Sequence, residues 1–187
     1  MKLVHRLAVL ILLLALCGGA SAQVYDTLRI ATYNTLNYPG STSAVRDPEF
    51  RKALRYIDPD ILILQEVEDA AGLTQFLNNV MNYDQPGTYA AVPFSDGPDK
   101  DNGCIYKVAS VSFISQTVLS TALRDINGYR MRPLGLGTDT LDIHVYSAHL
   151  KAGSEPENED ARFLEAQILR NHLNALTPGY FMAGGDF

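Results

Sequence analysis

The sequence predicts a mixed α/β fold, and three observations predict it. Short apolar runs bounded by turn residues alternate with segments of helical apolar periodicity, the order opening strand, helix, strand, helix. A run of hairpin-like strands follows, and then one long helix and one more strand. Helices on the outer faces of two packed sheets accommodate this order.

The elements follow in turn. Leu28 to Asn34 (L-R-I-A-T-Y-N) reads as a strand, ended by a loop through Asn37, Pro39 and Gly40. From Ala44 to Ile57 the residues Val45, Phe50, Ala53, Leu54 and Ile57 form an amphipathic helix with Pro48 near its first turn. Asp58-Pro59-Asp60 breaks it. Ile61 to Leu64 is a continuous apolar run, suited to a strand covered on both faces. Asp69 to Val80 is a second helix with Leu73, Phe76, Leu77 and Val80 on one stripe.

Strands are expected over Tyr89–Phe94, Cys104–Val108, Val111–Val118, Tyr129–Pro133 and Leu141–Ala148. Turns are expected at Asp96-Gly97-Pro98, Asp101-Asn102-Gly103 and Asn127-Gly128. Asn158 to Leu176 is the longest helix, Thr177-Pro178-Gly179 stops it, and Tyr180 to Ala183 opens a last strand.

The first residues stand apart. Lys2 and Arg6, the apolar run Leu7–Leu16 and the small-residue site Ala20-Ser21-Ala22 form a secretory signal peptide, cleaved after Ala22. The apolar run is about ten residues, short of the roughly 20 that span a bilayer. Cys17 offers a lipoprotein alternative, disfavoured because Leu16 stands where a small residue normally precedes such a cysteine.

Residues 1–22 are therefore the leader and 23–187 one domain, secreted to an extracellular or periplasmic space. Losing Lys2 and Arg6, and no acid, takes the formal charge from −6 to −8. With no basic run, tight non-specific polyanion binding is excluded, although a metal could still recruit a phosphate locally. Only Cys104 remains, so no intrachain disulfide forms and stability rests on packing.

Five polar residues stand at or just past predicted strand ends: Asn34, Glu66, Lys107, His149 and Asp186. In layered α/β folds such ends converge on a ligand-binding rim. Each has a plainer alternative. Glu66 could be where a strand surfaces, Asn34 a turn-former and His149 a satisfied core histidine. Lys107 could be a solvated edge residue and Asp186 a cap. The functional reading rests on the combination, because polar groups that end apolar strands are costly unless a metal or substrate satisfies them.

Together, A-T-Y-N-T-L-N, I-L-I-L-Q-E-V, C-I-Y-K, S-A-H-L-K-A-G and G-G-D-F resemble the endonuclease/exonuclease/phosphatase superfamily from about Leu28 to the end of the chain. The resemblance implies a four-layer α/β sandwich of the deoxyribonuclease I-like type. It implies Mg²⁺, with Mn²⁺ or Ca²⁺ as alternatives, held by Glu66. It makes Asn34 the residue that orients that carboxylate, His149 a hydrogen-bond donor to phosphate and Asp186 the group that orients or deprotonates water. Lys107 and Lys151 would screen phosphate charge, and Arg162 would support structure.

The family pattern also places an Asn two positions after Asp186 and a later Asp-His pair. The chain ends before both, so the resemblance implies a C-terminally truncated domain with little hydrolytic activity of its own. The implied activity of the intact protein is phosphoester hydrolysis, nuclease-like first, with phospholipid phosphodiesterase, phosphatase and a non-catalytic binding domain as alternatives. Nucleic acid is the first substrate class expected, then phospholipid or a small phosphoester. No stable protein partner is expected.

Overall fold

The structure, a computed structural model, describes residues 27–135 and 141–187. The expected leader, residues 1–22 with Cys17, lies outside the described residues. Eight strands form two four-stranded sheets. The first has the order β1 (Ile30–Tyr38), β2 (Ile61–Val67), β4 (Asp101–Lys107), β3 (Tyr89–Ala91). The second runs β5 (Val111–Leu119), β6 (Ile126–Pro133), β7 (Ile143–His149), β8 (Tyr180–Asp186).

Alternation along β2 explains the layering. Ile61 and Ile63 face the second sheet and pack with Val92, Cys104, Tyr129, Met131 and Val145. Leu62 and Leu64 face the other way, toward α1 (Ser43–Ile57) and α2 (Ala70–Phe76). There Tyr38 meets Phe76 edge-on at 5.0 Å and Tyr33 meets Phe50 edge-on at 5.4 Å. Such pairs each add about 1 kcal/mol beyond the burial of their area. On the outer face of the second sheet, Leu169 and Leu173 of α3 (Pro156–Ala175) cover Tyr146.

The result is helix, sheet, sheet, helix: the expected α/β sandwich. No helix among the described residues is long and apolar enough to cross a membrane.

Three details differ from the sequence reading. The second helix is capped by Asp69, whose carboxylate accepts from Gly72 N at 2.6 Å, but it continues past Phe76 as a π turn over Leu77–Met81. Two expected turns are strand interior: Asp101-Asn102-Gly103 opens β4 and Asn127-Gly128 lies in β6. Those glycines serve close packing. A Cβ at Gly103 would lie 2.8 Å from Leu73 Cδ1, and one at Gly128 2.5 Å from Tyr146 Cε1. The long helix buries less than its pattern suggests, with Phe163 and Leu164 on its solvent side.

Strand direction decides where the site falls. β1 and β2 are parallel, as are β7 and β8, and all four end at the same rim. β4 runs antiparallel to β2, so it begins there and ends at the far edge.

Candidate active site

Glu66 reaches the rim because β2 is irregular. Strict alternation would send it to the helix side with Leu62 and Leu64. The ladders to β1 and β4 instead shift register near residues 65 and 66, and Glu66 adopts a left-handed backbone, φ 60°. Val67 then resumes the helix-facing course. A non-glycine residue in this conformation costs about 1–2 kcal/mol. The hydroxyl of Thr35 holds the bend, 2.8 Å from the Gln65 carbonyl and 3.0 Å from that of Glu66.

β1 bends beside it, with Leu36 and Asn37 also left-handed. Asn37 N donates to Glu66 Oε2 at 3.1 Å. The guanidinium of Arg46 ties the bend down from α1 by donating to the carbonyls of Thr35, Leu36 and Pro39.

The second sheet supplies the other half. His149 and Asp186 are register partners on β7 and β8, and Leu150 N donates to Asp186 O at 2.9 Å. Asn34 joins the halves. Its Nδ2 donates to Glu66 Oε1 and to Asp186 Oδ2, both at 2.8 Å, while its Oδ1 accepts from Leu36 N.

Ligand atoms of Glu66, His149 and Asp186 lie within 4.8 Å of one another, the one such group among the described residues. His149 Nε2 is 3.8 Å from Glu66 Oε1 and 4.0 Å from Asp186 Oδ2, too long for hydrogen bonds. Burial first, and then the nearby Arg124 guanidinium, push the His149 imidazolium below its ordinary range, against the opposing pull of both carboxylates. A neutral imidazole facing two carboxylates leaves their charge uncompensated by any side-chain cation in the group. That donor set fits a hard divalent ion, for which one or two carboxylates, with water and substrate oxygen, suffice.

The structure brings together Asn34, Glu66, His149 and Asp186. It does not bring Lys107. Because β4 runs antiparallel to β2, Lys107 lies opposite the start of β2, and its Nζ is 2.7 Å from Asp58 Oδ1 and 3.9 Å from Asp60 Oδ1. The expectation that it flanks phosphate is corrected by strand direction. Lys107→Met should lower stability by about 1 kcal/mol and leave Mn²⁺ binding by the Glu66, His149 and Asp186 group within about twofold, read by urea unfolding and a cation titration. A tenfold fall in cation binding with normal stability would contradict this.

Lys151 sits on the loop after β7, its Nζ on the Ala152 carbonyl and its N–H on Glu165 Oε2. Arg162 donates to the carbonyls of Lys151 and Gly153, fastening that loop to α3. His144 and His172 stand apart: His144 packs on Phe181, and His172 bonds Tyr146 Oη at 3.0 Å.

Four residues around the site escape the sequence reading: Gln65, Asn102, Arg124 and Ser147. The only local signal for Gln65 and Ser147 is a polar residue one or two positions before a site residue near the end of a largely apolar strand. Asn102 is masked by the glycine after it, and Arg124 by its place in a hairpin loop.

Two sheets, flanking helices and donors at the ends of parallel strand pairs define an endonuclease/exonuclease/phosphatase-type sandwich, also called the deoxyribonuclease I-like fold. Solved structures carry this likeness. The chain superposes on D. rerio TDP2 complexed with single-strand DNA product with a TM-score of 0.62 at 19% identity, covering 86% of this chain and 61% of that one. An endonuclease/exonuclease/phosphatase family protein from Leptotrichia buccalis gives 0.60 at 13% identity, over 86% of this chain and 66% of that one. ANGEL2, a 2′,3′-cyclic phosphatase, gives 0.54 at 15% identity, over 85% and 52%. The chain thus spans about three fifths of the length of the D. rerio TDP2 structures. No family profile and no curated protein matches the sequence.

Proposed function

We propose that the protein is a divalent-cation-dependent phosphoester hydrolase, cleaving a phosphodiester of nucleic-acid type. The observation that carries this is the meeting of Glu66, His149 and Asp186 around Asn34, at the rim of a fold shared with TDP2 and ANGEL2. Glu66 would hold a Mg²⁺, which when bound polarises a phosphoryl oxygen and acidifies water.

The remaining work falls to this chain's own side chains. Asn34 keeps the two carboxylates in place by donating to both. Asp186, the more exposed of the two, accepts a proton from the attacking water as the new O–P bond forms and the leaving oxygen departs. His149, buried and neutral, donates from Nε2 to a phosphate oxygen as charge grows there. Lys151 lies on the next loop, where its ammonium can swing off the Ala152 carbonyl toward a polyanion.

The leader supports an export reading, in which these steps occur outside the cytoplasm. The net acidity suits turnover of a substrate rather than its retention.

Two measurements test the reading. Mn²⁺, a spectroscopic stand-in for Mg²⁺, is titrated into the 187-residue chain and followed by electron paramagnetic resonance. The protein is assayed on bis(p-nitrophenyl) phosphate, plasmid DNA, sphingomyelin and a phosphomonoester, with Mg²⁺ or EDTA. Saturable Mn²⁺ binding and EDTA-sensitive cleavage of DNA are expected. Preference for sphingomyelin or the monoester would move the substrate class. Absence of both binding and turnover would leave a binding domain on the same scaffold.

A further inference from the structure

The two halves of the site belong to different sheets. Asn34 and Glu66 come from the first, His149 and Asp186 from the second. We propose that Ser147, acting with Gln65 and Asn102, is a positioning residue that sets the spacing between these halves. The inference rests on the reading of the site as one working unit.

The core between the sheets changes character as it nears the rim. Deep in the sandwich it is apolar, through Ile61, Ile63, Met131 and Val145. One layer below the site it becomes a chain of hydrogen bonds. Thr32 Oγ1 donates to Gln65 Oε1 at 3.1 Å, and Gln65 Nε2 donates to Ser147 Oγ at 2.9 Å. Ser147 Oγ in turn donates to Asn102 Oδ1 at 2.8 Å. Asn102 Nδ2 then donates to Asn127 Oδ1 at 3.1 Å and to the Asp125 carbonyl at 2.7 Å.

Gln65, Asn102, Asn127 and Ser147 are all at most 2% exposed. The bonds from Gln65 to Ser147, Ser147 to Asn102 and Asn102 to Asn127 each cross from one sheet to the other. Gln65 is the chain neighbour of Glu66, and Ser147 lies two residues before His149 on the same strand.

Apolar side chains would fill this layer with comparable stability, because hydrogen bonds made on folding replace bonds to water. What a polar layer adds is direction. Apolar faces slide over one another at little cost, whereas a buried donor that loses its acceptor is penalised at once. Ser147 is the hub, with one proton to give and one neighbour donating to it. Its two partners sit on adjacent strands of the opposite sheet, so only one lateral and one vertical placement of β7 satisfies both. That placement brings Asp186, the register neighbour of His149, within 2.8 Å of Asn34.

The test needs a readout that simple loss of stability does not move. The Asn34 side-chain amide provides it, since one of its protons bonds across the seam to Asp186. Hydrogen exchange of that amide, followed by ¹⁵N NMR without any cation, is compared in the wild-type protein, Ser147→Ala, Gln65→Leu and Val145→Ala. Val145 is buried in the apolar part of the same inter-sheet core and serves as the control for stability alone.

Ser147→Ala and Gln65→Leu cut the same bond from opposite sheets, and each should speed Asn34 exchange at least about tenfold. Val145→Ala should lower the melting temperature and leave Asn34 protected. Asn34 protection that stays at the wild-type level in both network variants, or falls equally in Val145→Ala, would overturn the proposal. A parallel Mn²⁺ titration separates this result from the hydrolase reading. If wild-type protein neither binds Mn²⁺ nor cleaves any of the phosphoesters while the amide responds as stated, the hydrolase reading fails and the positioning role stands.

Discussion

Glu66→Gln should weaken Mn²⁺ binding by at least about 100-fold and lower phosphoester turnover by roughly 10³-fold, while the fold persists. The substitution keeps size and shape and removes one negative charge. One carboxylate oxygen accepts from Asn34 Nδ2 at 2.8 Å and the other from Asn37 N at 3.1 Å. A carboxamide can accept only one of these, so its amino group must face a donor. That lost bond costs about 1 kcal/mol, and relief of repulsion from Asp186 partly offsets it. Near-UV circular dichroism and unfolding should therefore change little. Binding of Mn²⁺ at wild-type strength by a folded Glu66→Gln protein would remove Glu66 from the cation site.

The second large effect concerns backbone. Gly185→Ala should destabilise the protein by on the order of 3 kcal/mol and displace Asp186. Gly185 has φ 153°, and a Cβ there would lie 1.7 Å from the carbonyl oxygen of Ala148. Both atoms belong to the β7–β8 ladder, where Ala148 pairs with Gly185 and His149 with Asp186. No rotamer change can relieve a collision between a Cβ and backbone, so the two strands must separate just where each delivers a site residue.

Gly87→Ala is the control. Its φ is 81°, but a Cβ there meets nothing within 4 Å, so it bears only the conformational penalty of about 1 kcal/mol. Urea unfolding of both variants decides the matter. A loss at Gly185 no larger than that at Gly87 would show that the strands are not held as close as described.

Much of this was legible in the sequence, for particular reasons. Ile61 to Leu64 announces a strand buried on both sides because four apolar residues in a row satisfy both the helix face and the sheet face. Glu66 follows one residue later, and Asn34, where β1 begins to bend, falls with the polar ends of β7 and β8 at the same rim because those strands run the same way. Lys107 ends a strand just as clearly, yet lies at the opposite edge. Direction within a sheet is a tertiary property, and C-I-Y-K contains nothing that records it. Gly103 and Gly128 mislead for a related reason. A glycine admits either a turn or a close neighbour, and the neighbours that decide here, Leu73 and Tyr146, are far along the chain. The bend at Glu66 was hidden too, since the Thr35 hydroxyl that holds it comes from another strand.

The bond between Asn34 and Asp186 joins residues 152 positions apart, close to the whole length of the described chain. Contacts of such long range form late, because the loop they close must first be ordered. Until β8 docks, the polypeptide carries all four side chains and no assembled centre. On the proposed function, a chain in which β8 has not yet paired with β7 would hold Asn34 and Glu66 without their partners from the second sheet, and would neither gather a cation nor orient a phosphoester.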